Sequence, residues 1–201
     1  VLYALFFLCS LIFYINYYTK KEKKIYFYIL SVLFYAISLL PKPQAIFLPF
    51  LLFVFDYYNN RKFEKKLFFE KVPYFAVFIL FFVTTILGYR SYNSYIGKEF
   101  SLKSVNILNG TYSFLFYIFK TFLPFSLSNI YPHPRLISNF HYFFYLISPV
   151  IVIVVSIFVI ATVKRERKIL FGFLFYGINI AIVSQIITTG PAIVADRYSY
   201  I

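Results

Sequence analysis

Six stretches of this chain, at 1–18, 25–41, 43–58, 72–89, 142–163 and 169–187, run almost without charge for the length of a bilayer-crossing helix or nearly so. A spanning helix needs ~20 apolar residues, and the helix form satisfies every backbone group where no water is at hand. One soluble core cannot absorb so many segments of this kind. Composition agrees, with 61% of the 201 residues hydrophobic, 25% aromatic and only 13% charged. A soluble domain is about half apolar and about a quarter charged. The expected fold is therefore an all-α polytopic membrane protein with about six transmembrane helices, forming a single partial membrane domain over 1–201.

The third segment is short and carries two prolines. Pro43 suits a first helical turn, whereas Pro49 is expected to kink the helix. A seventh apolar stretch, 107–125, is interrupted by Asn109-Gly110, Lys120 and Pro124. Those breaks predict a re-entrant or interfacial segment. The chain holds no Met, and Val1 opens inside an apolar run, so an internal piece of a longer protein is expected. The first residues lack the basic region and small-residue cleavage site of a signal peptide.

Cations set the expected topology. Lys20, Lys21, Lys23 and Lys24 fall in 19–24. Arg61, Lys62, Lys65, Lys66 and Lys71 fall in 59–71, and Lys164, Arg165, Arg167 and Lys168 in 164–168. These are thirteen of the twenty Lys and Arg, and the positive-inside rule puts all three loops in the cytoplasm. The net charge of +13 then reads as a topology signal and a contact with anionic lipid headgroups. Nucleic-acid binding is disfavoured, because membrane spans separate the basic runs. The segments 41–44, 90–141 and 188–201 are expected on the extracytoplasmic face, with 107–125 beginning and ending there.

Three polar motifs share that outer face. In Pro41-Lys42-Pro43-Gln44 the prolines fix a tight turn that holds Lys42 and Gln44 at constant depth. Lys42 reads either as a snorkelling interfacial cation or as a contact to a lipid phosphate. In "YPHPR" (131–135) two prolines stiffen the chain, and Tyr131, His133 and Arg135 alternate along it. His133, with an ordinary pKa near ~6.5, could hold or transfer a proton; a plain connector is the other reading. In "ADRY" (195–198), after the break at Gly190-Pro191, adjacent Asp196 and Arg197 diverge by about 100° on a helix and need other partners. Charges near a membrane helix tend to mark function. "DRY" also occurs in rhodopsin-like receptors, but there on the opposite face, and that match is rejected.

Other features read as structural. Cys9 is expected to be a small buried hydrophobe and His141 an interfacial residue. Asp56 closes the third span at the interface. "NGT" (109–111) fits a glycosylation acceptor as a short pattern only. The sequence carries no Gly-rich phosphate loop, metal-ligand cluster or evident cofactor motif.

The runs "YAISLLPKPQAIFLPFLLFVFDYY" (35–58), "KVPYFAVF" (71–78), "LPFSLSNIYPHP" (123–134) and "GPAIVADRYSYI" (190–201) occur in that order. Together they resemble the membrane domain of bacterial glycosyltransferase-C-fold proteins with tetratricopeptide repeats. Those are similar to protein O-mannosyltransferases and to transmembrane-and-tetratricopeptide-repeat O-mannosyltransferases. The resemblance implies sugar transfer from a polyprenyl-phosphate donor to a protein or glycan acceptor on the extracytoplasmic face. It places the catalytic base upstream of Val1 and the repeats beyond Ile201, so no catalytic residue is assigned within 1–201. A divalent cation is plausible in that superfamily, but no ligand set for one occurs here.

A departing lipid phosphate is anionic, and fixed cations in a low-dielectric site stabilise it. Arg197 is expected on the phosphate, with Lys42 beside it. Tyr131 and His133 would line the site, with Gln44 and Tyr198 nearby, and Asp196 would orient Arg197 or position an acceptor hydroxyl. The alternatives are a non-catalytic lipid-phosphate carrier or flippase, and a membrane scaffold for a repeat domain.

Overall fold

The computed structural model describes residues 2–20, 22–41, 43–95, 107–125, 128, 131, 138–163, 165–181, 183–184 and 194–195. Every regular element among them is helical. In chain order they are α1 (Leu2–Thr19), α2 (Lys24–Leu39), a 3₁₀ turn (Pro43–Phe47), α3 (Leu48–Tyr58), α4 (Lys65–Phe69), α5 (Val72–Tyr95), α6 (Ile107–Phe122), α7 (Asn139–Thr162) and α8 (Arg167–Ala181). The chain divides into two compact units, 1–100 and 101–201.

Three stretches are long and apolar enough to cross a membrane: Leu2–Thr19, Lys65–Gly88 and Asn139–Thr162. The segments at 25–41 and 43–58 form shorter apolar helices. α2 has 16 residues and α3 only 11. The third segment is shortened by its prolines. Pro49 has no N–H for the Ala45 carbonyl, and its ring crowds that group. Pro43–Phe47 therefore winds as 3₁₀, and Pro49 sits in the first turn of α3. The expected kink is thus a change of helix type. α8 has 15 residues and covers the sixth segment from 169 to 181; most of that segment's remainder lies outside the described residues.

In the first unit, α1 and α2 pack along their lengths. Small polar residues allow the close approach. Ser10 Oγ donates to the Ser31 carbonyl at 2.7 Å, and Ser31 Oγ donates back to the Ser10 carbonyl at 2.7 Å. Both serines are fully buried. Small side chains let helix backbones meet closely, and each hydroxyl answers a carbonyl in an otherwise apolar seam. Tyr74 of α5 donates to Ser31 Oγ at 2.7 Å, tying a third helix to the pair. Ring contacts fill the rest, with Phe13 stacked on Phe34 at 5.3 Å and Phe50 edge-on to Phe75 at 5.4 Å.

In the second unit, α6 buries a polar-aromatic stripe of Asn109, Tyr112, Ser113 and Tyr117. These residues recur at helical spacing and line one face. Tyr112 and Tyr145 of α7 meet edge-on at 5.6 Å within a core that also includes Tyr117, Ile180 and Val194. Asn109 Oδ1 accepts from the Tyr145 hydroxyl at 2.8 Å. The asparagine of the "NGT" pattern is therefore a buried helix-packing residue rather than an exposed acceptor.

α7 contains Pro149 in its interior. A proline there leaves the carbonyl four residues earlier, that of Tyr145, without its helical donor. Ser148 Oγ donates to that carbonyl at 2.8 Å. This replacement is what allows an interior proline in an apolar helix.

Candidate functional site

Two clusters of polar side chains stand out, one in each unit. In the first, Asp56 at the end of α3 is wholly buried, as are Tyr14 of α1 and Lys71 just before α5. The Tyr14 hydroxyl lies 2.9 and 2.8 Å from the two Asp56 carboxylate oxygens and donates to that group. Arg61 Nη1 bonds Asp56 Oδ1 at 2.9 Å, and Lys71 Nζ pairs with Asp56 Oδ2. Arg61 Nη2 reaches Glu70 Oε2 at 2.8 Å, while Tyr17 donates to Glu70 Oε1 at 2.9 Å.

This cluster balances two carboxylates against two cations. Burying an unpaired ion costs several kcal/mol, so such charges persist only with their partners and hydrogen bonds in place. Burial alone would lower the pKa of the Arg61 guanidinium. The oxygens of Tyr14, Asp56 and Glu70 outweigh it and hold the group above its ordinary value. The chemistry is that of a fastener joining α1, α3, the 61–64 loop and the start of α5. Arg61 bridges the two carboxylates, so they do not form a cation site. Among the described residues no three His, Cys, Asp or Glu side chains come together to hold a metal ion.

The cluster also corrects the count of exposed cations. Lys71 reads in the sequence as a loop lysine facing lipid headgroups, yet it is wholly buried against Asp56 and Tyr14. Its position one residue before a long apolar helix carries it inward, where Asp56 is the charge that retains it.

The second cluster lies on α6. The Tyr117 hydroxyl donates to the Ala195 carbonyl at 3.1 Å and accepts from the Ala195 N–H at 3.0 Å. Next to it, the Tyr131 N–H donates to the Val194 carbonyl at 3.3 Å. Val194 and Ala195 are both buried. The chain entering "YPHPR" is therefore joined to the residues that immediately precede Asp196-Arg197. The Tyr131 ring stands edge-on to Phe116 at 4.9 Å, and its hydroxyl accepts from the Ser128 N–H at 3.0 Å.

Beside this junction is a cavity of about 690 Å³ between α6 and α7. Its walls include Leu115, Phe116 and Phe119 on one side and Phe140, Phe144 and Ile151 on the other. Four side chains with polar groups also line it: Tyr112, Lys120, Tyr131 and His141. Lys120 Nζ lies over the Tyr131 ring at 5.2 Å and the Phe116 ring at 5.7 Å, and it donates to the Phe125 carbonyl. Rings of this kind attract a cation through their negative faces. Ser138 caps α7, accepting from the His141 N–H at 3.3 Å, and its Oγ lies 2.8 Å from His141 Nδ1. An apolar chamber with a few convergent polar groups is the usual form of a small-ligand site.

Of the residues singled out in the sequence, Tyr131 lines this cavity. Gln44 belongs to the first unit, in the 3₁₀ turn; it is buried, and its Oε1 has no hydrogen-bond partner among the described residues. Lys42, His133, Asp196, Arg197 and Tyr198 lie outside the described residues. Sequence reading passed over Tyr117 and treated Lys120 as a mere interruption. The available signal was the spacing of Phe116, Phe119 and Lys120, which places them on one face of a helix.

No protein-family model, curated protein or solved structure matches the chain.

Proposed function

We propose that this chain forms part of a membrane glycosyltransferase that takes a sugar from a polyprenyl-phosphate donor and passes it to a protein or glycan acceptor on the extracytoplasmic face. The cavity on α6 carries the reading. A polyprenyl phosphate combines a branched apolar tail with an anionic head. The cavity offers aromatic and aliphatic walls together with an ammonium, Lys120, and the polar Tyr131 and His141. The tail gains burial at about 25 cal/mol per Å² of apolar surface. The head gains a cation in surroundings of low dielectric, where charge pairing is stronger than in water.

The hydrogen bonds from Tyr117 and Tyr131 to Ala195 and Val194 support the same reading. They hold the chain just before Asp196-Arg197 beside the stretch that continues into His133. In this proposal Arg197 takes the leaving phosphate. Tyr131 and His133 line the site, Tyr198 stands near it, and Asp196 orients Arg197 or the acceptor hydroxyl. No residue of 1–201 is assigned as the base.

The test is a photoreactive polyprenyl phosphate added to membranes that contain the protein, followed by peptide mapping. Labelling should fall on α6 and α7 and be competed by unlabelled polyprenyl phosphate. Absence of labelling there, with labelling elsewhere on the chain, would remove the cavity from the site. In the intact protein, sugar transfer from the polyprenyl-phosphate donor should fall at least about 100-fold in Arg197→Ala, since a fixed oxyanion partner is worth that much. Labelling of the intact protein without any transfer would make it a carrier.

A further inference from the structure

A second cavity, of about 310 Å³, opens in the first unit where α1 ends and α2 and α4 begin. It has room for about ten waters. Tyr17 and Tyr18 form one wall and Leu67 another, while Lys24, Lys62 and Lys66 stand around it. All three lysines are exposed, and none has an ion pair among the described residues. The acids at this cavity are Glu64 and Glu70, and Glu70 is already held by Arg61 and Tyr17. With Arg61 included the lining carries four cations against two carboxylates.

We infer that this cavity binds the phosphate headgroup of an anionic phospholipid. Three lysines lining one cavity without carboxylate partners make a site for phosphate, which Lys binds as a point charge. The position points to a lipid. The cavity lies at the end of α1, one of the three stretches able to cross a membrane. Exposed apolar side chains adjoin it in sequence on both elements: Ile25 and Tyr26 after Lys24, and Phe63, Phe68 and Phe69 around Lys62 and Lys66. In α4, "KKLFF" combines cations and aromatics in a single short turn of helix, the pattern of an element lying at a membrane surface. A soluble phosphate would have no use for that apolar rim, whereas acyl chains would cover it.

The inference is independent of the glycosyltransferase reading, which concerns the other unit. It is tested on the purified chain in zwitterionic detergent by native mass spectrometry, titrating phosphatidylglycerol or phosphatidylcholine. Phosphatidylglycerol should bind at least ~10-fold more tightly, given the contribution of each basic residue at a charged surface. The triple variant Lys24→Gln/Lys62→Gln/Lys66→Gln should lose that margin, and the charge-preserving Lys→Arg triple should keep it. Arg165→Gln/Arg167→Gln/Lys168→Gln, with the same loss of charge elsewhere, should change it less than about twofold. Equal losses in the two Gln triples would overturn the site as a diffuse charge effect. Displacement of the lipid by millimolar inorganic phosphate would show that the ligand is a soluble anion and would equally overturn it.

Discussion

The Tyr117 hydroxyl spans both backbone groups of Ala195, donating to its carbonyl at 3.1 Å and accepting from its N–H at 3.0 Å. One side chain thereby satisfies a buried peptide unit 78 residues away, just before Asp196-Arg197. A buried backbone group left unpaired costs ~1–3 kcal/mol, so this contact helps decide where the chain before those charges runs.

Tyr117→Phe should therefore destabilise the second unit by about 1–3 kcal/mol. Hydrogen exchange should become faster at the Ala195 amide and stay unchanged at Ser10 in the first unit. Unchanged protection of the Ala195 amide would refute the pinning role.

The Asp56–Lys71 pair makes a sharper prediction. Removing either partner alone, as in Asp56→Leu or Lys71→Met, leaves a buried charge and should cost about 3–5 kcal/mol. Replacing both, Asp56→Leu with Lys71→Met, removes the charges together and should recover most of that loss. Thermal unfolding of the four proteins in detergent gives the double-mutant cycle. Additive losses would show that the two groups do not act as a pair.

Ser148 and Pro149 form a compensated couple in α7. Ser148→Ala removes the donor to the Tyr145 carbonyl and the 2.9 Å contact with Thr111 Oγ1, and should cost roughly 1 kcal/mol. Adding Pro149→Ala supplies a backbone N–H to that same carbonyl, so the double variant should be more stable than Ser148→Ala alone. Unfolding free energies in a common detergent decide it, and a double variant no more stable than the single one counts against the compensation.

Lys120 gives the test of the cavity. Lys120→Met keeps the length and apolar stem but removes the ammonium. Binding of a polyprenyl phosphate should weaken about 10-fold or more, while binding of the uncharged polyprenol stays within about twofold. Equal weakening of both would mean that Lys120 acts through packing alone.

The helical, membrane-type character of the chain was legible from 1–18, 72–89 and 142–163, because apolar length is a local property read residue by residue. The shorter segments were harder. Pro49 was visible, but whether it kinks a helix or divides it into 3₁₀ and α pieces depends on the turn that precedes it. Of the outer-face motifs, the described residues bear only on Tyr131. Its N–H meets the Val194 carbonyl just before Asp196, and beside it Tyr117, which has no distinctive sequence context, holds Ala195.

The sequence by itself determined the solvent this protein is built for, since hydrophobic length and charge placement follow from composition along the chain. Tertiary structure decided which polar groups answer one another. Tyr14 meets Asp56 across 42 positions, and Lys71 changes from a loop cation into a buried counter-ion 15 positions from that aspartate. Those pairings arise because a charge drawn into an apolar bundle must find an opposite charge, and only the packing of α1, α3 and α5 brings one within reach.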